Sequence, residues 1–249
     1  MKTRILTLIL ATLLLLTACN TSPFQDQTKT TNTNNPPDEI SREDTPITQT
    51  PMKILVVIAA NGYQDTEYGT PKNILEKAGY EVVTTSTKEI AKGVVGGKTT
   101  VDILMDNVNP ADYAAVVFIG GPGSHDYFDY EPALKLAKDF YNSGKLTTAI
   151  CAAPSILANA GILQGKTVTA FPDEAGNIKS KGAAYTGKSV EQDGMIITGN
   201  GPSAAKAFGE KIVEALKNTK VELAIPTNED PFPPDTIENT PPPGEKVPS

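Results

Sequence analysis

The chain is short of basic residues, of histidine and of cysteine, and each shortage removes a class of function. Its 249 residues carry 22 Lys and Arg against 29 Asp and Glu. Removing Lys2 and Arg4 with a leader leaves 20 against 29, a net charge near −9, which argues against nucleic acid as a partner. There is one histidine, His125, and the acidic residues Asp126, Asp173 and Glu174 read equally well as solvated surface charges. Their spacing does not resemble a metal site, and the sequence calls for no cofactor. Only two cysteines occur, Cys19 and Cys151; with Cys19 spent on a lipid, no internal disulfide can form. The apolar run from Ile5 to Leu16 is too short to span a bilayer comfortably as a permanent helix.

The N-terminus instead has the parts of an export signal. Lys2 and Arg4 supply the positive charge, Ile5 to Leu16 the apolar stretch, and Leu16-Thr17-Ala18-Cys19 closes it. These last four residues resemble the lipobox of bacterial lipoproteins, where the cysteine is lipidated and becomes the first mature residue; a plain secretory signal is the alternative. The expected organisation is a signal peptide over 1–18 and a tether over 19–51, rich in Thr, Asn, Gln and Pro, with Cys19 as its lipid anchor. One domain over 52–220 and a proline-rich acidic tail over 221–249 complete it. The domain would then hang outside the cytoplasm, in the bacterial cell envelope, with the membrane as a partner through the anchor alone.

Within the domain, strand and helix patterns alternate. Lys53 to Ala59 is a continuous apolar run with β-branched residues, which suggests a strand buried on both faces of a parallel sheet. A loop at Asn61-Gly62, a helix from about Thr66 to Ala78 and a strand from Glu81 to Ser86 follow. Gly93 to Val101 reads as a hairpin excursion around Gly96-Gly97. Tyr113 to Ile119 repeats the buried-strand pattern, and Glu131 to Asn142 is an amphipathic helix. Strands are expected at Leu146 to Ile150 and Lys166 to Phe171, a hairpin turns at Asp193-Gly194, and a helix closes the domain after Gly201-Pro202. This order predicts an α/β fold: a three-layer α/β/α sandwich, flavodoxin-like, with a mainly parallel sheet and sites at the strands' C-terminal ends.

The chemistry concentrates at Thr147-Thr-Ala-Ile-Cys-Ala-Ala-Pro154, where an apolar strand runs into a cysteine and a proline opens the next helix. A thiol at such an elbow faces the N-terminus of a helix, whose free N–H groups favour thiolate. The alternative is a buried, inert cysteine that merely ends a core strand.

Four stretches carry a resemblance: Ala149-Ile-Cys-Ala-Ala-Pro154, the Val-Phe-Ile-Gly-Gly run ending at Gly121, Gly62-Tyr-Gln-Asp-Thr-Glu67, and Gly194-Met-Ile-Ile-Thr-Gly-Asn-Gly-Pro202. In their order and separations along the chain they resemble the ThiJ/PfpI superfamily over essentially all of Lys53 to Leu216. The resemblance implies that Cys151 is the nucleophile or oxidation-sensing cysteine and that Glu67 contacts its thiol as a protonated carboxyl. It also implies that the backbone at Gly120, Gly121 and Ala152 forms an oxyanion hole and that the chain assembles as a homodimer or higher homo-oligomer. Glu67 could instead simply serve the helix dipole.

Two departures from the family stand out. Ala152 occupies the position where protease-like members place a histidine after the cysteine, and Phe171 the position where glyoxalase- and deglycase-like members place one before a proline. The distantly related class I glutamine amidotransferases place a histidine after the cysteine, and none follows Cys151 here. His125 would therefore be either a recruited base, in cis or across an interface, or a surface histidine. Three functions compete: a thiol enzyme acting on small 2-oxoaldehydes or their protein adducts, a non-catalytic oxidation sensor or binding module, and, last, a cysteine peptidase. Their partners would be a small electrophilic carbonyl substrate or an oxidant.

Overall fold

The apolar runs become the strands of one sheet in the computed structural model, which describes residues 51–224. In chain order, β1 (Lys53–Val57), β2 (Asn61–Tyr63) and α1 (Asp65–Lys77) are followed by β3 (Glu81–Ser86), β4 (Ile90–Gly93), β5 (Lys98–Thr100) and β6 (Ile103–Leu104). Then come β7 (Ala115–Phe118), α2 (Glu131–Asn142), β8 (Leu146–Ile150), α3 (Pro154–Asn159) and β9 (Thr167–Val168). The remainder is α4 (Ala175–Ser180), β10 (Ala184–Tyr185), β11 (Val190–Asp193), β12 (Ile196–Gly199) and α5 (Ala205–Ala224). The last helix continues past position 220. Cys19, the signal and most of the tether and tail lie outside the described residues.

The main sheet has seven strands in the order β11-β12-β8-β7-β1-β3-β6, and only β11 runs antiparallel to its neighbour. Helices α1 and α5 pack together on one face and α2 and α3 on the other, giving the expected three layers. The central strands are buried along their whole length, as a sheet covered on both faces requires. Register then decides where the chemistry lies. Val57 sits opposite Phe118, Phe118 opposite Ala149, and Ile150 opposite Gly199, so four strands end level and release their loops at one edge.

Two segments differ from their pattern. Lys166 to Phe171 forms only the two residues of β9, paired with β10 in a small separate sheet, because β12 already occupies the edge of β8. Thr169 N–H instead donates to the Thr198 hydroxyl at 2.9 Å, and Phe171 N–H to the Cys151 carbonyl at 2.7 Å. The expected loop at Asn61-Gly62 is β2, which joins the β4–β5 hairpin in a three-stranded sheet.

Candidate active site

Cys151 follows β8 directly, and it is the only non-glycine residue with positive φ (64°) among the described residues. An L-residue held there costs about 1–2 kcal/mol, a strain that the surroundings must hold in place. They do so on both sides of the residue: Cys151 N–H donates to Gly199 O at 2.9 Å, and its carbonyl accepts from Phe171. The side chain is mostly buried, with Gly121 and Ala152 N–H groups directed at the sulfur, where they favour its anion.

The glycine loop between β7 and the 3-10 turn Pro122–Tyr127 fits only because it lacks side chains. A Cβ on Gly120 would stand 2.6 Å from Cys151 Cβ and 2.9 Å from Glu67 Oε2, so thiol and carboxyl converge over the same bare Cα. Gly121 has φ 100°, and a Cβ there would lie 2.5 Å from Gly62 O. Ser124 fixes the turn by donating its backbone N–H (3.0 Å) and its hydroxyl (2.7 Å) to Gly121 O. Gln64 N–H donates to Gly120 O at 3.0 Å, which ties the start of α1 to the same loop.

Glu67 lies in the first turn of α1 and is completely buried. Neither carboxyl oxygen makes a well-formed hydrogen bond, so Cys151 and Gly120 N–H act on it only through weak contacts, and desolvation dominates. Burial pushes the carboxyl up from its usual 4.5 to about 7. Burial first, then the negative charge of Glu67 and its weak contact with the sulfur, push the thiol up to about 12. Between about pH 7 and pH 12 the two groups therefore hold one proton between them, because a second negative charge in this pocket is strongly opposed.

His125 shares the Cys151 cleft, a cavity of about 340 Å³, together with Ala152 and Gly121. Its Nδ1 lies 2.9 Å from Pro122 O, which only accepts, so Nδ1 carries a proton. Its Nε2 lies 3.2 Å from Glu174 Oε1, and the ring packs on Phe128 at 4.6 Å. Both nitrogens thus already have partners other than the thiol. Glu174 departs from the surface reading: it is 7% exposed, and buried Ser155 donates to its Oε2 at 2.5 Å. No local pattern marks this Ser155–Glu174–His125 array, whose members meet across 19 and 49 residues of chain. Among the described residues, no three His, Cys, Asp or Glu side chains converge so as to hold a metal ion.

The pattern of the DJ-1/PfpI family matches residues 52–215. An uncharacterized protein of Methanocaldococcus jannaschii is 38% identical over 169 residues, covering 66% of this chain and 82% of the relative. A protein named as a deglycase in Pyrococcus abyssi is 30% identical over 170 residues, 67% of this chain and 100% of the relative. The solved ThiJ/PfpI domain protein of Brachyspira murdochii superposes with a TM-score of 0.66 at 33% identity, covering 68% of this chain and 99% of that one.

Proposed function

The chain belongs to the DJ-1/PfpI family, and from that premise we propose that it is a cysteine-dependent enzyme of glyoxalase or deglycase type, acting on small 2-oxoaldehydes or their adducts. One observation carries this reading: a strained, mostly buried thiol faces two backbone N–H groups and converges with a buried carboxyl over the bare Cα of Gly120. In the step proposed, the Cys151 thiolate adds to the aldehyde carbon and the carbonyl π pair moves to oxygen. The N–H groups of Gly121 and Ala152 stabilise that oxyanion, which then takes the proton held by Glu67. The result is a hemithioacetal and a Glu67 carboxylate, the base available for the next proton transfer. His125 plays no part as a base in this scheme, because both ring nitrogens are already engaged, one with Pro122 O and the other with Glu174. Alkylation of Cys151 in His125→Ala is accordingly expected to stay within about twofold of wild type, since only the thiolate population sets the rate. A larger loss would restore histidine as the recruited base.

The deglycase name of the Pyrococcus relative supports the enzyme reading. The second reading, an oxidation sensor, is favoured by the absence of a free imidazole nitrogen, since a sulfinate held by the same N–H groups needs no base. Incubation with methylglyoxal and, separately, with dilute peroxide decides between them. Turnover to lactate supports the enzyme; no turnover, with a stable gain of about 32 Da at Cys151 from two added oxygens, supports the sensor. Peptidase activity ranks last, because peptide hydrolysis by a thiol uses a base beside it. We further propose lipidation at Cys19, placement in the bacterial cell envelope with the domain outside the cytoplasm, and assembly as a homodimer or higher homo-oligomer.

A further inference from the structure

The cleft at Cys151 has an apolar wall that the chemistry above leaves unused. Among the described residues four large hydrophobic side chains are exposed: Ile90, Val94, Val95 and Phe171. Two of the four, Val94 at 49% and Phe171 at 39%, line this cleft, with Pro122 and Pro202 beside them. Apolar area held in water at the mouth of a reactive site marks a surface that a ligand covers.

Both side chains are presented by built structure. The tip of the β4–β5 hairpin, which carries Val94, is clamped to the start of α1: Asp65 accepts Val95 N–H at 3.0 Å and Gly97 N–H at 2.7 Å. Val94 N–H donates to Tyr63 O at 2.9 Å, and a side chain at Gly93 or Gly97 would collide with the Asp65 carboxylate. Phe171 is held through its backbone to Cys151, and a Cβ at Gly201 would meet its ring at 3.7 Å, so the ring rests against a bare glycine. The remaining charged groups on the cleft are Asp173 and Glu174 against the single His125, with the Glu67 carboxyl behind the thiol.

We propose that the cleft selects neutral electrophiles whose carbonyl reaches Cys151 and whose apolar, ring-sized substituent lies along Val94 and Phe171. The substrate class is then aryl or branched-alkyl 2-oxoaldehydes in preference to small or anionic ones. Carboxylate-bearing ligands are disfavoured by Asp173 and Glu174. This inference deepens the enzyme reading above and rests on it.

The test is the rate of Cys151 modification by 2-iodo-N-phenylacetamide, iodoacetamide and iodoacetate, each divided by the reagent's rate with glutathione. In each case the thiolate sulfur bonds the CH2 carbon and iodide leaves. The phenyl reagent is expected to gain about tenfold over iodoacetamide from the apolar area it covers, and iodoacetate to be slowest. Phe171→Ser and, independently, Val94→Ser are expected to bring the phenyl-to-iodoacetamide ratio toward one. Equal normalised rates, or a preference that survives both substitutions, would overturn the inference. So would a wall covered by a second copy of the chain, seen as a preference that appears only on dilution. Turnover of 2-oxoaldehydes without this selectivity overturns the inference alone. Selectivity without turnover overturns the enzyme reading and leaves the apolar subsite standing.

Discussion

In the Glu67→Gln protein, alkylation of Cys151 is expected to lose its inflection near pH 7 and to climb through a single midpoint at higher pH. In wild type the carboxyl sits at about 7 and the thiol at about 12, so between those values the pair holds one proton. The reactive form is the tautomer with the proton on Glu67 and the charge on sulfur, and its share of the one-proton state does not depend on pH. Wild-type alkylation should therefore rise to a plateau near pH 7 and stay level until the second proton leaves. Glutamine is a neutral stand-in for the protonated carboxyl. With it the thiol titrates alone, at a pKa that cannot lie below the first step of the wild-type pair, since that first step counts both routes of proton loss. The variant also loses the negative charge that raises the thiol. A charge a few ångströms away, at the effective dielectric of a protein site, is worth about 4 kcal/mol, or about three pH units. The two proteins should react alike at pH 6, and the variant should be more than about tenfold faster at pH 10. Stopped-flow or mass-spectrometric alkylation across pH 5 to 11 measures this. A wild-type profile with no step near 7, or a variant slower than wild type at pH 10, would show that the two groups do not share a proton.

The fold was legible because strand burial leaves its mark in composition. Leu146–Ile150 and Glu81–Ser86 occupy the residues their patterns predict, and Glu131–Asn142 is the amphipathic helix its spacing predicts. The elbow was legible too, since a strand, a cysteine, small residues and Pro154 are contiguous. What escaped has no local signature. Lys166 to Phe171 looks like a strand, yet whether it enters the main sheet depends on β12, which takes the edge of β8 from 49 residues further on, Ile197 pairing with Thr148. Glu174 looks like a surface carboxylate beside Asp173, and only the packing of α3 brings Ser155 against it and closes it off. The clamp of Asp65 on the hairpin tip joins residues about 30 apart and depends on Gly93 and Gly97, whose spacing alone says only that a turn is present. Local pattern reports burial and turns; contacts between distant segments decide which charges are buried and which nitrogens are free.

Glu67→Gln is also expected to stabilise the protein, by about 3 kcal/mol at pH 8 and by little near pH 4.5. The carboxyl is wholly buried and makes no well-formed hydrogen bond, so ionising it in the folded state costs more than ionising it in the unfolded chain. Its folded value, about 7, lies above the usual 4.5. A group raised in this way contributes stability that is complete below pH 4.5 and is lost as pH rises through 7. The shift corresponds to about 3 kcal/mol between those limits. Glutamine cannot ionise, so it keeps above pH 7 what the carboxyl gives up. The thiol adds a loss of the same sign only at higher pH, from its usual 9 toward about 12, which leaves pH 8 a clean point for the comparison. Urea denaturation of both proteins at pH 5 and pH 8 measures the difference. A gain that grows between these two values means that Glu67 comes at a cost to stability, as expected of a carboxyl that serves proton transfer rather than packing. An equal difference at both values would mean that the carboxyl does not ionise near neutrality, and the shared proton would have to be abandoned along with it.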